Sequence, residues 1–307
     1  MIETIILSGQ HYENYKLEDY NVVFVDIYNR NIPKILLRLF RNIPLFVYFS
    51  LGCWKNNIKH YKTIIVFDTD TTEPVLNWID KKNKATKKIF YYRNSITWVR
   101  NFLKPERLKV RGYQLWSYNI SDCNKYNLKY NNQMLDKSMF KNIKQNHYPK
   151  YDVLFLGNSK GRENILINLE NQLRSIGLRC YFYIPDLSGM ENNMCKNGKS
   201  LPYTEYIELI YQSKAILDIV TDKNWGLTYR PIEAMFSKRK LITNYDDIKK
   251  YDFFNTDNIY ILDSNEDFCN IKYFLNSEYK PLNKEIIDEY DITRWYEHFA
   301  KSNSILK

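Results

Sequence analysis

The chain has 307 residues, a formal net charge of +10 and 44% hydrophobic residues, which is too apolar for a disordered polymer. That length suits two domains, each able to bury its own core. Five cysteines with no C-x-x-C pair argue against a zinc site and a disulfide framework. Reduced thiols suit a cytoplasmic protein, and Met1-Ile2-Glu3-Thr4 lacks the basic start of a signal peptide. The positive balance favours anionic partners: nucleotides, nucleic acid or an anionic membrane face.

In chain order, Glu3 to Ser8 and Val22 to Asp26 are short β-branched and apolar runs that predict strands. His11 follows the first of them and is a candidate base, although a lone histidine is more often a packing or surface residue. Within 32–54, Lys34, Arg38 and Arg41 share one helical face, with Leu36, Leu39, Phe40 and Ile43 opposite. Such a helix can lie on an anionic membrane. The ordinary alternative is a surface helix that buries its apolar face. The run from Ile43 to Trp54 falls short of the roughly 20 residues of a spanning helix.

Thr63 to Phe67 (TIIVF) reads as a strand buried on both faces. Asp68-Thr69-Asp70 follows it. A D-x-D there can hold a divalent ion on a diphosphate, but carboxylates after a strand are also ordinary turn formers. Asp68 is the candidate acceptor-side base. Glu73 to Lys81 predicts a helix and Lys88 to Tyr92 a strand. Residues 1–118 thus form a first α/β domain, and 119–150, rich in Asn, Lys and Tyr, a connection.

The alternation restarts at Tyr151 to Gly157, a strand ending in glycine. Arg162 to Ile176 predicts a helix capped by Gly177, and Arg179 to Ile184 a strand. Tyr203 to Ser213 follows as a helix, Ala215 to Val220 as a strand, Pro231 to Phe236 as a short helix and Lys240 to Thr243 as a strand. Residues 151–283 are then a doubly wound domain, and 284–307 a terminal helix expected to pack back on the first domain.

Two loops carry the chemistry. Gly157-Asn158-Ser159-Lys160-Gly161-Arg162 follows a strand and can form an anion-binding turn. It is neither a P-loop nor a G-x-G-x-x-G motif. Gly226-Leu227-Thr228-Tyr229-Arg230-Pro231-Ile232-Glu233 follows another strand and opens a helix whose first N–H groups attract phosphate. Arg230 offers a planar fork of donors for a diphosphate. Glu233, expected in the first turn, suits two ribose hydroxyls but is also common helix-start chemistry.

The stretch 226–244, with Tyr151 to Arg162 and Ser213 to Val220, resembles the donor-binding half of GT-B type glycosyltransferases. It looks most like small bacterial capsule and lipopolysaccharide transferases and the CgeB-like proteins. The likeness covers most of 116–262. It implies two Rossmann-like domains with a cleft between them, and a nucleoside diphosphate sugar, UDP favoured, as donor. It also implies transfer to a glycan or lipid-linked acceptor in surface polysaccharide synthesis, an acceptor that the membrane contact read from the pattern of 32–54 would suit. Glu233 matches the ribose-binding glutamate, and Arg230, Gly226 to Thr228, Gly157, Asn158, Lys160 and Arg162 match diphosphate contacts. The cationic side chains make a metal unnecessary, so no metal or other cofactor is expected. The partner glutamate seen in many such enzymes falls at Trp225 and is absent. The alternatives are a nucleic-acid-binding protein, which has no RRM, KH or helix-turn-helix signature here, and a non-catalytic relative with a scaffold role.

Overall fold

The computed structural model describes residues 3–8, 15, 17, 19–40, 43–69, 71–83, 87–141, 148–185, 201–221, 226–262 and 268–300. The chain divides into two compact units, Met1–Gln133 with Trp295–Lys307, and Met134–Arg294.

In the first unit the strands are β1 (Thr4–Ser8), β2 (Val22–Asp26), β3 (Thr63–Phe67), β4 (Lys87–Tyr92), β5 (Tyr113–Ser117) and the two-residue β6 (Lys129–Tyr130). All their pairings are parallel, in the order β2-β1-β3-β4-β5-β6. The apolar runs explain this, since Ile5, Ile6 and Leu7 of β1 and Ile64, Ile65 and Val66 of β3 are all 0% exposed. A parallel sheet needs helices on both faces to bury such runs. They are α1 (Lys34–Phe40), α2 (Pro44–Ser50), α3 (Trp54–Asn57), α4 (Glu73–Lys82), α5 (Pro105–Val110) and α6 (Ile120–Tyr126), and all of these but α1 bury residues. Residues 119–133, expected as connection, belong to this unit: Asn119 caps α6 by accepting from the N–H groups of Ser121 and Asp122.

α1 departs from the ordinary expectation for a surface helix, because none of its residues is buried and its apolar side chains face outward.

The second unit holds β7 (Tyr151–Leu156), α7 (Glu163–Ser175), β8 (Cys180–Tyr183), α8 (Tyr203–Tyr211), β9 (Ser213–Asp218), α9 (Tyr229–Ser237), β10 (Lys240–Thr243), β11 (Ile259–Ile261), α10 (Cys269–Asn276) and α11 (Lys284–Glu289). Its parallel sheet runs β11-β10-β9-β7-β8. α7 lays Leu166, Leu169 and Leu173 on the sheet, the spacing of one helical face. Gly177 ends it at φ +84, with Leu178 N–H bonded to Leu173 O.

The tail is not one helix. α11 stops at Glu289, and α12 (Ile292–Ala300) starts after Asp291, whose carboxylate accepts from the Lys137 N–H. From Trp295 onward the chain counts with the first unit. There Trp295, 0% exposed, meets the rings of Phe67, Tyr91 and Phe299.

Candidate functional site

In each unit the sheet order reverses beside the first strand, between β1 and β3 and between β7 and β9. Doubly wound sheets bind ligands beyond the carboxyl ends of those strands. In the second unit that edge carries a cluster of charged groups.

Gly157 leaves β7 at φ +149, a conformation side chains rarely adopt. A Cβ there would lie 2.6 Å from Arg230 Nη2. The glycine therefore lets the guanidinium lie directly on the backbone. Arg230 Nη2 donates to Leu156 O at 2.8 Å and Nη1 to Asp218 Oδ1 at 3.2 Å. Its Cζ sits 5.0 Å from the Phe155 ring centroid. Asp218, the last residue of β9, is 1% exposed, and its other oxygen accepts from the Thr228 hydroxyl at 2.8 Å. Arg230 thus spans the ends of two neighbouring strands, and its Nε is buried with no hydrogen-bond partner among the described residues.

The glycine loop divides its cations. Arg162 is 4% exposed and donates to three carbonyls: Nε to Ser159 O at 2.9 Å, Nη2 to Asn158 O at 3.0 Å, and Nη1 to Ile219 O. It fastens the loop to the end of β9, so its donors face carbonyls, not the expected diphosphate. Lys160 adopts a left-handed conformation, φ +50. Burial, and then the charges of Arg162 and Arg230, lower its pKa. Although its side chain is exposed, the second part of that shift reflects three cations gathered at one turn, a local positive field. Asn158 is exposed at the same turn.

Helix α9 begins at Tyr229, two residues before the expected start at Pro231. Arg230 therefore lies inside the first turn and Glu233 one turn deeper, so the helix-start account of Glu233 does not apply. Leu227 is 2% exposed in the core, Gly226 is buried, and Thr228 holds the cap position with its hydroxyl on Asp218. Glu233 is 4% exposed. Its two oxygens accept from the hydroxyls of Tyr203 at 2.9 Å and Tyr206 at 2.8 Å. Burial raises its pKa, against those hydrogen bonds and the Arg230 charge.

Asp218, Tyr203 and Tyr206 escaped the sequence reading. Asp218 carried a usable signal, a carboxylate at the end of an apolar strand, as at Asp68. The two tyrosines carried none.

In the first unit Asp68 lies just beyond β3, 8% exposed. It accepts from Arg93 N–H at 2.8 Å and Asn94 Nδ2 at 2.9 Å, both just beyond β4. Burial pushes its carboxyl up to about 6, although those hydrogen bonds favour the anion. A carboxylate held near 6 is suited to general-base work. His11 and Asp70 lie outside the described residues.

No protein-family model and no curated protein matches the chain. Solved structures do. A structure of Anabaena HepE in complex with UDP and glucose is similar at 10% identity and TM-score 0.53 over the whole of both chains. The DNA-modifying enzyme β-glucosyltransferase, solved with and without uridine diphosphoglucose, is similar at 15% identity and TM-score 0.50, over 98% of this chain and 99% of its own. TarM is similar at 14% identity and TM-score 0.51, over 79% of this chain, which spans 55% of TarM's length. At these identities the likeness establishes architecture: two Rossmann-like α/β units in the GT-B fold of glycosyltransferases.

Proposed function

We propose that the chain is a glycosyltransferase whose donor, a nucleoside diphosphate sugar, binds the second unit at the ends of β7 and β9. The observation that carries this reading is Arg230, fixed across both strand ends with Nε unpaired, beside Lys160 and the first turn of α9. A diphosphate oxygen supplies the acceptor that Nε lacks, beside the N–H groups of the helix start. Glu233 with Tyr203 is the ribose contact in this reading, each carboxylate oxygen retaining one lone pair.

In the reaction an acceptor oxygen bonds to the anomeric carbon of the donor. The bond from that carbon to the diphosphate breaks, and its electron pair leaves with the nucleoside diphosphate. Arg230 and Lys160 stabilise the charge that develops there. The acceptor proton passes to a general base, and Asp68, held near 6, is the carboxylate whose pKa suits that role. These cations take the place of a metal. UDP is the favoured nucleotide, since the similar HepE and β-glucosyltransferase structures were solved with UDP or uridine diphosphoglucose. A glycan or lipid-linked acceptor in surface polysaccharide synthesis fits the sequence likeness of 116–262.

Calorimetric titration with UDP, GDP, CMP, dTDP and ADP in excess chelator tests this. Saturable binding of a uridine nucleotide without metal is expected. Binding that appears only when manganese is restored would refute the metal-free site, and no binding of any nucleotide would refute the donor reading.

A further inference from the structure

The first unit exposes an apolar surface that its own fold leaves uncovered. On α1, Ile35 is 68% exposed and Leu39 67%; on α2, Leu45 is 67% and Phe49 75%. Ile43, between the helices, is 49% exposed, and the Phe40 and Phe46 rings, 5.4 Å apart, join the two. α2 is anchored from beneath by Val47 and Ser50, both 0% exposed, so this surface stands on a fixed base. Monomeric proteins rarely expose so many large apolar side chains together without a partner.

Charge decides which partner. From Ile27 to Phe67 the sequence has no acidic residue and seven Lys or Arg, of which Arg30 pairs with Asp26 and Lys62 with Glu3. Lys34 and Arg38 are exposed one turn apart on α1, flanking the apolar face. An anionic lipid surface satisfies both halves of this pattern: apolar side chains enter the headgroup boundary while the cations meet phosphate. A second copy of the chain would set these cations against one another. A nucleic acid would leave the leucines and phenylalanines uncovered.

We propose that the α1–α2 face docks the protein peripherally on an anionic bilayer. No helix among the described residues is long and apolar enough to cross one. The inference goes beyond glycosyl transfer and stands whether or not the chain transfers sugar.

Vesicle co-sedimentation tests it, using pure phosphatidylcholine against phosphatidylcholine with about 30% phosphatidylglycerol. The protein should sediment with the anionic vesicles and at least about tenfold less with the neutral ones. A Leu39→Ser/Phe49→Ser variant should lose about tenfold or more in partitioning, with its thermal unfolding unchanged, because both side chains are already exposed. Lys34→Glu/Arg38→Glu should lose the preference for anionic lipid. The proposal is overturned by no sedimentation with either vesicle, by equal sedimentation with both, or by binding that the serine variant retains. Self-association of the parent that the serine variant abolishes would also overturn it, showing that a second copy covers the face.

Discussion

Arg230 and Glu233 sit three residues apart on one helix and meet different chemistry. Among the described residues Arg230 keeps an unpaired donor at the strand ends, whereas Glu233 is closed over by two tyrosine hydroxyls. Glu233→Gln loses charge-assisted hydrogen bonds but also removes a buried charge, so its net cost to stability should be about 1 kcal/mol or less. Its effect on a bound ribose should be larger, about tenfold or more in nucleotide affinity, measured by calorimetry beside urea unfolding. Equal affinity would leave Glu233 only a tyrosine anchor. Asp68 makes a prediction about pH. Its folded pKa of about 6 exceeds the ordinary aspartate value of 3.8, so between those values the native state binds more protons than the unfolded chain. Its contribution to stability therefore falls as pH rises from about 4 to about 6. Asp68→Asn should raise the stability of the first unit at pH 7.5 by up to about 3 kcal/mol, change little at pH 4, and remove any transfer activity that rises through pH 6. Thermal unfolding and activity at both pH values check this. Arg230 was legible as a candidate because a basic residue after a strand and beside a proline has a mechanism. Tyr203 and Tyr206 were not, since their meeting with Glu233 is fixed by how α8 and α9 pack, and no local spacing encodes that.

At the scale of elements, the buried strands were readable because a parallel sheet leaves unbroken apolar runs such as TIIVF and YDVLFL. β6 and β11, of two and three residues, are too short to carry a pattern. The start of α9 was misplaced because proline prefers the first helical position but is tolerated throughout the first turn, where Pro231 follows Tyr229 and Arg230. The outward face of α1 was legible as amphipathic, but only tertiary structure tells whether such a face is covered. Two elements are testable by single changes. Gly157→Ala forces a side chain into a φ of +149 and onto the Arg230 guanidinium, so it should cost about 1–3 kcal/mol and weaken nucleotide binding together. Urea unfolding and calorimetry on the same sample check both. Asp152 ties the start of β7 to its neighbours through Arg179 and Lys214. Burial alone would raise its carboxyl, but the hydrogen bonds from Arg179 and Lys214 outweigh it and hold the group at about 2. That stability is present above about pH 4 and lost as pH falls through about 2. Because Arg179 is 56% exposed, Asp152→Asn should cost only about 1 kcal/mol at pH 7, read by urea unfolding.

At the scale of the molecule, two parallel α/β units each present a charged residue beyond the sheet at its reversal point, Asp68 in one and Arg230 in the other. In the proposed reading the nucleotide binds the second. The nucleotide assignment is the central claim, because the base, the acceptor and the metal-free chemistry all depend on it. Thermal unfolding with and without UDP, on the parent and on Arg230→Lys, tests it most directly. UDP at 100 times its dissociation constant should stabilise the parent by about 2.7 kcal/mol. Arg230→Lys keeps the charge but not the planar fork, and should unfold cooperatively in the absence of ligand yet gain much less from UDP at that concentration. Equal stabilisation of the two proteins, or none of the parent, would contradict the claim.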